Sequence, residues 1–197
     1  MATQDDAQAD GVEEVLAFWL GAGPEAWYKQ DDAFDAQISE RFGALWEAGA
    51  RGDLDETWAT NPRGALALIV LLDQFPRNMF RGDARSFASD ARARSTACYA
   101  LDRGFDMRID PPERQFFYMP FMHSERLTDQ DHCVRLMAER MEGSDNLLHA
   151  RAHREIIRRF NRFPYRNAAL GRTSTHAERD FLENGGYGRI VEALKAK

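Results

Sequence analysis

Lysine is nearly missing from this chain: of its 26 basic residues only Lys29, Lys195 and Lys197 are lysines, and the rest are arginines. A high-GC coding bias accounts for this, and the many alanines agree; the alternative is that the arginines serve as planar forks that bind carboxylate or phosphate in a fixed geometry. A basic excess is missing too. The 197 residues carry a net charge of −6, whereas nucleic-acid binders show a positive face, so nucleic acid is not an expected partner. There are two cysteines, Cys98 and Cys133, with no CxxC spacing. Free cysteine in amphipathic stretches is usually a small buried hydrophobe, which points to a reducing cytoplasm. The longest apolar run falls far short of the roughly 20 residues that span a bilayer, so no membrane association is expected. Strict two-residue alternation and Asn-Gly hairpins do not occur, which argues against a sheet.

What remains is helical period almost everywhere. The acidic opening MATQDDAQAD resembles neither a signal nor a transit peptide and reads as a disordered tail over 1–9. A single all-α domain is expected over 10–197. GVEEVLAFWL is a short helix stopped by Gly21, Gly23 and Pro24. Asp31 or Asp32 caps a helix carrying Phe34, Ile38, Phe42 and Leu45 on one face. Asn61–Pro62 is a strong start signal, an N-cap followed by proline at the first helical position. That helix runs through ALALIVLLDQF until Pro76 ends it. A helix over about 86–103 is closed by Gly104, and Asp110–Pro111 opens another through RQFFYMPFMHSE. Thr128 caps 129–142, Ser144 or Asp145 caps a helix to Phe160, and Thr173 or Ser174 caps a last one to about Asn184. AGARGDLDETWA resembles the turn of a tetratricopeptide hairpin, so a tetratricopeptide-like array of antiparallel helical hairpins is the expected architecture.

Three stretches place polar groups where a core residue belongs. In NPRGALALIVLLDQFPRNMF, Leu66, Ile69, Val70 and Asp73 share a face. A buried carboxylate needs an arginine or several donors, and Gln74 and Arg77 stand beside it. In RQFFYMPFMHSERL, a run of apolar side chains follows Arg114 and is broken at Pro120, which removes an N–H and aims His123 and Glu125 off the helical path. In HARAHREIIRRFNRFPYRN, His149, His153, Ile156 and Phe160 lie on one face, and Arg158, Arg159, Arg162, Arg166 and Arg172 crowd the turn and loop that follow. The two histidines lack the HExxH glutamate and a third ligand, so no metal is expected.

Taken together, LLDQFPRNMFRG with FASDA, then RQFFYMPFMHSE, then HREIIRRFNRFPYRNAALGRTST resemble a bacterial family of tetratricopeptide-like helical proteins known as domain of unknown function 924. VLAFWLG and the tryptophan of EAWY fit it as well, and the likeness covers about 12–183. It implies an all-α fold and supplies no activity. The family pattern resembles RFGRFPHRN; here Asn161 stands for its glycine and Tyr165 for its histidine.

Two functions are open on this reading. One is a pocket for a small anionic ligand, carboxylate or phosphate, with His123 as general acid or base and Asp73 or Glu125 orienting it. Gln74, Arg77, Arg114, His153, Arg166 and Asn167 complete that ligand-binding set. The residue pattern places the two histidines around one cavity. No nucleophile motif, Gly-rich phosphate loop or cofactor fingerprint is present, so no cofactor is expected and the oligomeric state is open. The other is an interaction module taking an acidic peptide or a C-terminal carboxylate.

Overall fold

The protein is described by a computed structural model. It describes the backbone of residues 4–196 and the side chains of residues 11–196. The tail expected over 1–9 lies outside the described side chains; the first helix, α1, is Gln4–Ala22. Among the described residues there are helices and turns and no strand. They form two compact units, the first running up to residue 81 and over 85–120, the second over 82–84 and from residue 121 onward.

In the first unit α1 is followed by the short α2 (Pro24–Trp27), the long α3 (Asp32–Arg51), the single turn α4 (Asp55–Trp58) and α5 (Pro62–Ile69). The start signals act as written. Asp31 accepts from the Ala33 and Phe34 N–H groups, and Asn61 accepts from Gly64 N with Pro62 at the first position. Each satisfies donors that a helix start leaves open. Gly64 also lets two elements touch. A Cβ added there would lie 2.0 Å from the Trp58 carbonyl, so only glycine allows α5 to cross α4 this closely. Trp19, Trp27, Phe75 and Phe116, with the half-buried Phe34, form an aromatic nest around α1.

Pro76 does not end its helix. The path continues from α5 through a π-turn, Val70–Gln74, into α6 (Phe75–Met79). The wider turn takes in one extra residue, and Phe75 N–H reaches Val70 O, five residues back. A proline normally leaves the carbonyl four residues earlier without a partner. Here that carbonyl belongs to Leu72, and Ser89 Oγ donates to it at 2.6 Å, in turn receiving Trp46 Nε1–H at 3.0 Å. Ser89 stands at the head of α7 (Asp90–Asp102), so the proline defect is repaired by the next helix.

The stretch after Pro111 is not one helix either. It is a tight 3-10 turn, Glu113–Phe117, followed by α8 (Met119–Met122) with Pro120 at its second residue. The helix expected from Asp110–Pro111 through RQFFYMPFMHSE therefore does not form as one piece. The chain passes from the first unit to the second within α8.

The second unit holds α9 (Leu127–Arg140), α10 (Asn146–Phe160), α11 (His176–Glu183) and α12 (Gly186–Lys195). Arg126, not Thr128, occupies the cap position of α9. Thr175 caps α11 in a closed capping box with Glu178, one residue beyond the expected Ser174. Helix α12 lies beyond the last helix expected, which ends at about Asn184. It buries Ile190 and Val191 beside Ile156, Ile157 and Phe163, so α10 is packed by α9 and by α12.

Candidate functional site

The polar residues singled out in the sequence fall into both units, and each group is described within its own. In the first unit the π-turn carries Asp73, fully buried. Gln74 Nε2 donates to Asp73 Oδ2 at 2.6 Å, and Arg77 Nη1 lies 3.4 Å from Oδ1 and donates to the Asp73 carbonyl. The other guanidinium arm of Arg77 reaches Asp90 Oδ1 at 2.9 Å. Asp73, Gln74, Arg77 and Asp90 thus tie the π-turn to the start of α7. Arg114 is elsewhere in this unit: its Nε donates to the carbonyls of Asp106 (3.1 Å) and Ile109 (2.8 Å), clamping the preceding loop. Tyr118 closes the same loop by donating to the buried Asp106 carboxylate at 2.7 Å.

The second unit brings the histidines together. The His123 and His153 rings meet edge to face with centroids 6.3 Å apart, and Phe163 and Tyr187 stand 5.5 and 5.0 Å from His153. Local structure explains how His123 arrives there. It follows the last turn of α8, and the buried Gln130 on α9 donates to the carbonyls of Met122 (2.6 Å) and Ser124 (2.7 Å) on either side of it. One amide thereby holds the two peptide carbonyls that flank His123. His153 is fixed differently, by its Nδ1 contact at 2.9 Å to the His149 carbonyl one turn back. A carbonyl only accepts, so Nδ1 carries the proton and Nε2 the lone pair. Next to it, His149 Nδ1 and the Tyr187 hydroxyl are 2.5 Å apart.

Charge in this unit is distributed by the arginine loop. Glu125 accepts from Phe163 N–H (2.9 Å) and from both arms of Arg172 (2.9 Å each). Burial would raise its pKa, but the Arg172 fork and the Phe163 N–H prevail and hold it below the usual carboxylate range. Arg162 grips Glu178 with two bonds (2.5 and 2.7 Å), which draws that carboxyl down to about 2. Arg158 and Arg159 share Glu155. Arg166 is different: it is buried, with its guanidinium 4.6 Å above the Phe163 ring. Its charge reaches both Glu125 and His153. His153 is pushed down to about 3, first by burial, against which the His149 carbonyl pulls, and further by the positive potential of His123 and Arg166. Asn167 donates to Ser174 Oγ at 3.0 Å, holding the loop that carries Arg166. Among the described residues no three His, Cys, Asp or Glu side chains are grouped to hold a metal ion.

A family model described as a bacterial protein of unknown function (DUF924) matches residues 15–186. The chain belongs to this family. No curated protein matches it. A solved structure of a protein of unknown function from Agrobacterium tumefaciens is 42% identical over 90% of this chain and 99% of its own, with a TM-score of 0.86. The position where this DUF924 protein departs from the RFGRFPHRN pattern has a backbone reason. Asn161 ends α10 with φ +56°, the left-handed conformation that glycine adopts at no steric cost and asparagine tolerates best among the others. Tyr165, in place of histidine, is exposed and stacked on Phe163 at 5.2 Å.

Sequence reasoning missed Gln130, Arg172 as the partner of Glu125, and the His149–Tyr187 contact. The last two span 47 and 38 residues. Helical phase could place Gln130 on the buried side of α9; no local signal marks the other two.

Proposed function

We propose that this protein binds a small anionic metabolite, a carboxylate or phosphate, at the His123–His153 cluster of its second unit. The observation that carries this reading is the meeting of two imidazoles beside a buried guanidinium, that of Arg166. In the arginine loop Arg162 and Arg172 are gripped by Glu178 and Glu125, and the charge of Arg166 acts on both Glu125 and His153. An anion there lies against a positive potential and next to groups that donate and accept hydrogen bonds. Glu125 and Asn167 then serve as supports for the loop. Asp73, Gln74, Arg77 and Arg114 are assigned to locking the first unit. Helices long and apolar enough to cross a membrane are absent among the described residues, and two free cysteines fit a cytoplasmic protein with neither membrane nor nucleic acid as partner. His123 is the group assigned to acid–base work if the ligand is turned over.

A second reading is an interaction module built from tetratricopeptide-like hairpins. It is favoured by an open groove of about 740 Å³ in the first unit, whose lining includes Ala50, Asp55, Glu56, Ala91, Arg92 and Tyr99. Arg92 is already held by Asp55 at 2.5 Å and Glu56 stands next to it, so the groove is poorly matched to an acidic peptide. For that reason it ranks second.

The test is a thermal-shift screen of small carboxylates and phosphates on the whole chain. A ligand present at 100 times its Kd adds about 2.7 kcal/mol of stability, a shift easily seen. The shift should disappear in Arg166→Gln and persist in a groove variant such as Tyr99→Ala. The opposite pattern would move the site to the groove and end the first reading.

A further inference from the structure

The groove of the first unit carries chemistry that neither reading above uses. One side runs along α7, where Ala88, Ala91, Arg92, Ser95, Thr96 and Tyr99 recur at helical spacing. The other is Ala50 at the end of α3, with Asp55, Glu56, Ala59 and Thr60 on and just after α4. The cation in this lining, Arg92, belongs to the wall. It donates through Nε to the Ala50 carbonyl (3.2 Å), through Nη1 to Asp55 (2.5 Å) and through Nη2 to the Arg51 carbonyl (3.4 Å). Gly52 makes room for it, since a Cβ there would come within 2.7 Å of Nη1. Arg92 thereby neutralises Asp55. Glu56 is exposed and has no ion pair among the described residues, so the groove keeps one negative charge.

The hydroxyls add acceptors. Thr60 donates to the Thr57 carbonyl (3.0 Å), Ser95 to that of Ala91 (3.1 Å) and Thr96 to that of Arg92 (3.2 Å). Each hydrogen is taken by the chain's own backbone, so what remains for a ligand is lone pairs. Thr96 is only 7% exposed, a buried oxygen whose accepting capacity no described residue fills. The rest of the surface is largely the methyls of Ala50, Ala59, Ala88 and Ala91. Acceptors, methyls and one uncompensated carboxylate complement a donor-rich cation on a hydrocarbon chain. The volume, about 740 Å³, is that of a small-molecule site.

We propose that this groove is a second ligand site and takes a small aliphatic amine. The ammonium donates to Glu56 and to the hydroxyl oxygens, and the chain lies on the alanine methyls toward Tyr99. Its selectivity is opposite to that proposed for the His123–His153 cluster, and neither site depends on the other.

Calorimetric titration of the whole chain at low salt with hexylamine and hexanol tests this, because the two share one chain and differ in the head group alone. Hexylamine should bind about fivefold tighter than hexanol, the worth of an exposed ion pair. Glu56→Gln should lower hexylamine affinity by the same factor. Glu183→Gln, exposed and in the second unit, removes an equal charge and should leave it unchanged. Ala91→Trp fills the groove from an exposed position of α7 and should abolish binding with the melting temperature kept. Equal affinity for hexylamine and hexanol overturns the charge selection and the inference with it. Equal losses in Glu56→Gln and Glu183→Gln overturn it as mere attraction to the net charge of the chain, and so does hexylamine binding that survives Ala91→Trp. Binding of trilysine without binding of hexylamine puts a basic peptide in place of the amine and overturns the small-ligand reading. No heat with hexylamine or trilysine ends the proposal. None of these titrations involves Arg166, so the anion site is judged by its own screen.

Discussion

Truncation of Asp73 tests how the π-turn is held. Removing one member of a buried ion pair costs about 3–5 kcal/mol when the survivor is stranded. Arg77 would not be stranded. Its side chain is 19% exposed, and it keeps Asp90 at 2.9 Å and the Asp73 carbonyl, which Asp73→Ala leaves in place. The larger loss is at Gln74, whose amide gives up a 2.6 Å bond and retains only the Met119 sulfur at 3.5 Å. An unsatisfied buried donor costs about 1–3 kcal/mol, and the vacated carboxyl volume adds to that. The expected destabilisation is therefore about 2–4 kcal/mol, or on the order of 10 °C in Tm for a chain of this length. The assay is urea denaturation followed by tryptophan fluorescence. Trp19, Trp27, Trp46 and Trp58 are all the tryptophans in the chain and all lie in the first unit, so the signal reports the unit that carries the change. The midpoint should fall with the slope unchanged. A loss under about 0.5 kcal/mol, typical of an exposed position, would refute the account of Asp73 as a buried anchor.

Two further outcomes are expected. Asn161→Gly should be neutral or slightly stabilising and Asn161→Ala should cost about 1 kcal/mol, because φ is +56° there and alanine resists the left-handed region; urea titration of the pair decides, and equal effects would argue against the backbone explanation. The folded His153 ring is depressed to about 3 from the ordinary 6.5 of a histidine, so the unfolded chain binds the extra proton: its contribution is complete above pH 6.5 and is lost as pH falls from there toward 3. His153→Gln should flatten the stability profile in that window, and an unchanged slope would contradict the burial of the ring.

Much of the fold is legible locally, because caps are local. Asp31 and Asn61–Pro62 announce α3 and α5, and Gly104 takes up the positive φ just past the end of α7. What fails is whatever depends on a distant partner. Pro76 reads as a terminus until Ser89 is known to serve the Leu72 carbonyl. The last expected helix ends at about Asn184, and a further one is recognised only when Ile190 and Val191 are seen to bury beside α10. Asp110–Pro111 has the signature of a helix start, yet the chain makes a 3-10 turn held at Arg114 by carbonyls of the preceding loop. The same division runs through the site. Helical phase puts His153 on a buried face, and the proline break turns His123 inward, so both are visible in sequence. The partner of Glu125 is not, since five arginines compete for it within one turn and loop and only tertiary placement selects Arg172.

The π-turn at Val70–Gln74 has a consequence for how this segment tolerates length changes. An α-helix that gains one residue can keep both ends in place by swelling a single turn, and the extra residue then sits in the bulge. Deleting one residue between Val70 and Gln74 would let the backbone relax to ordinary α geometry. Phe75 and Arg77 would then keep their places in the aromatic nest and beside Asp90. The loss would fall on the bulge itself, whose Asp73 and Gln74 form the buried polar cluster with Arg77. The bulge is thus a tolerated surplus: the helix begun at Pro62 carries one residue more than its turns need, and the chain on either side of the wide turn stays in phase.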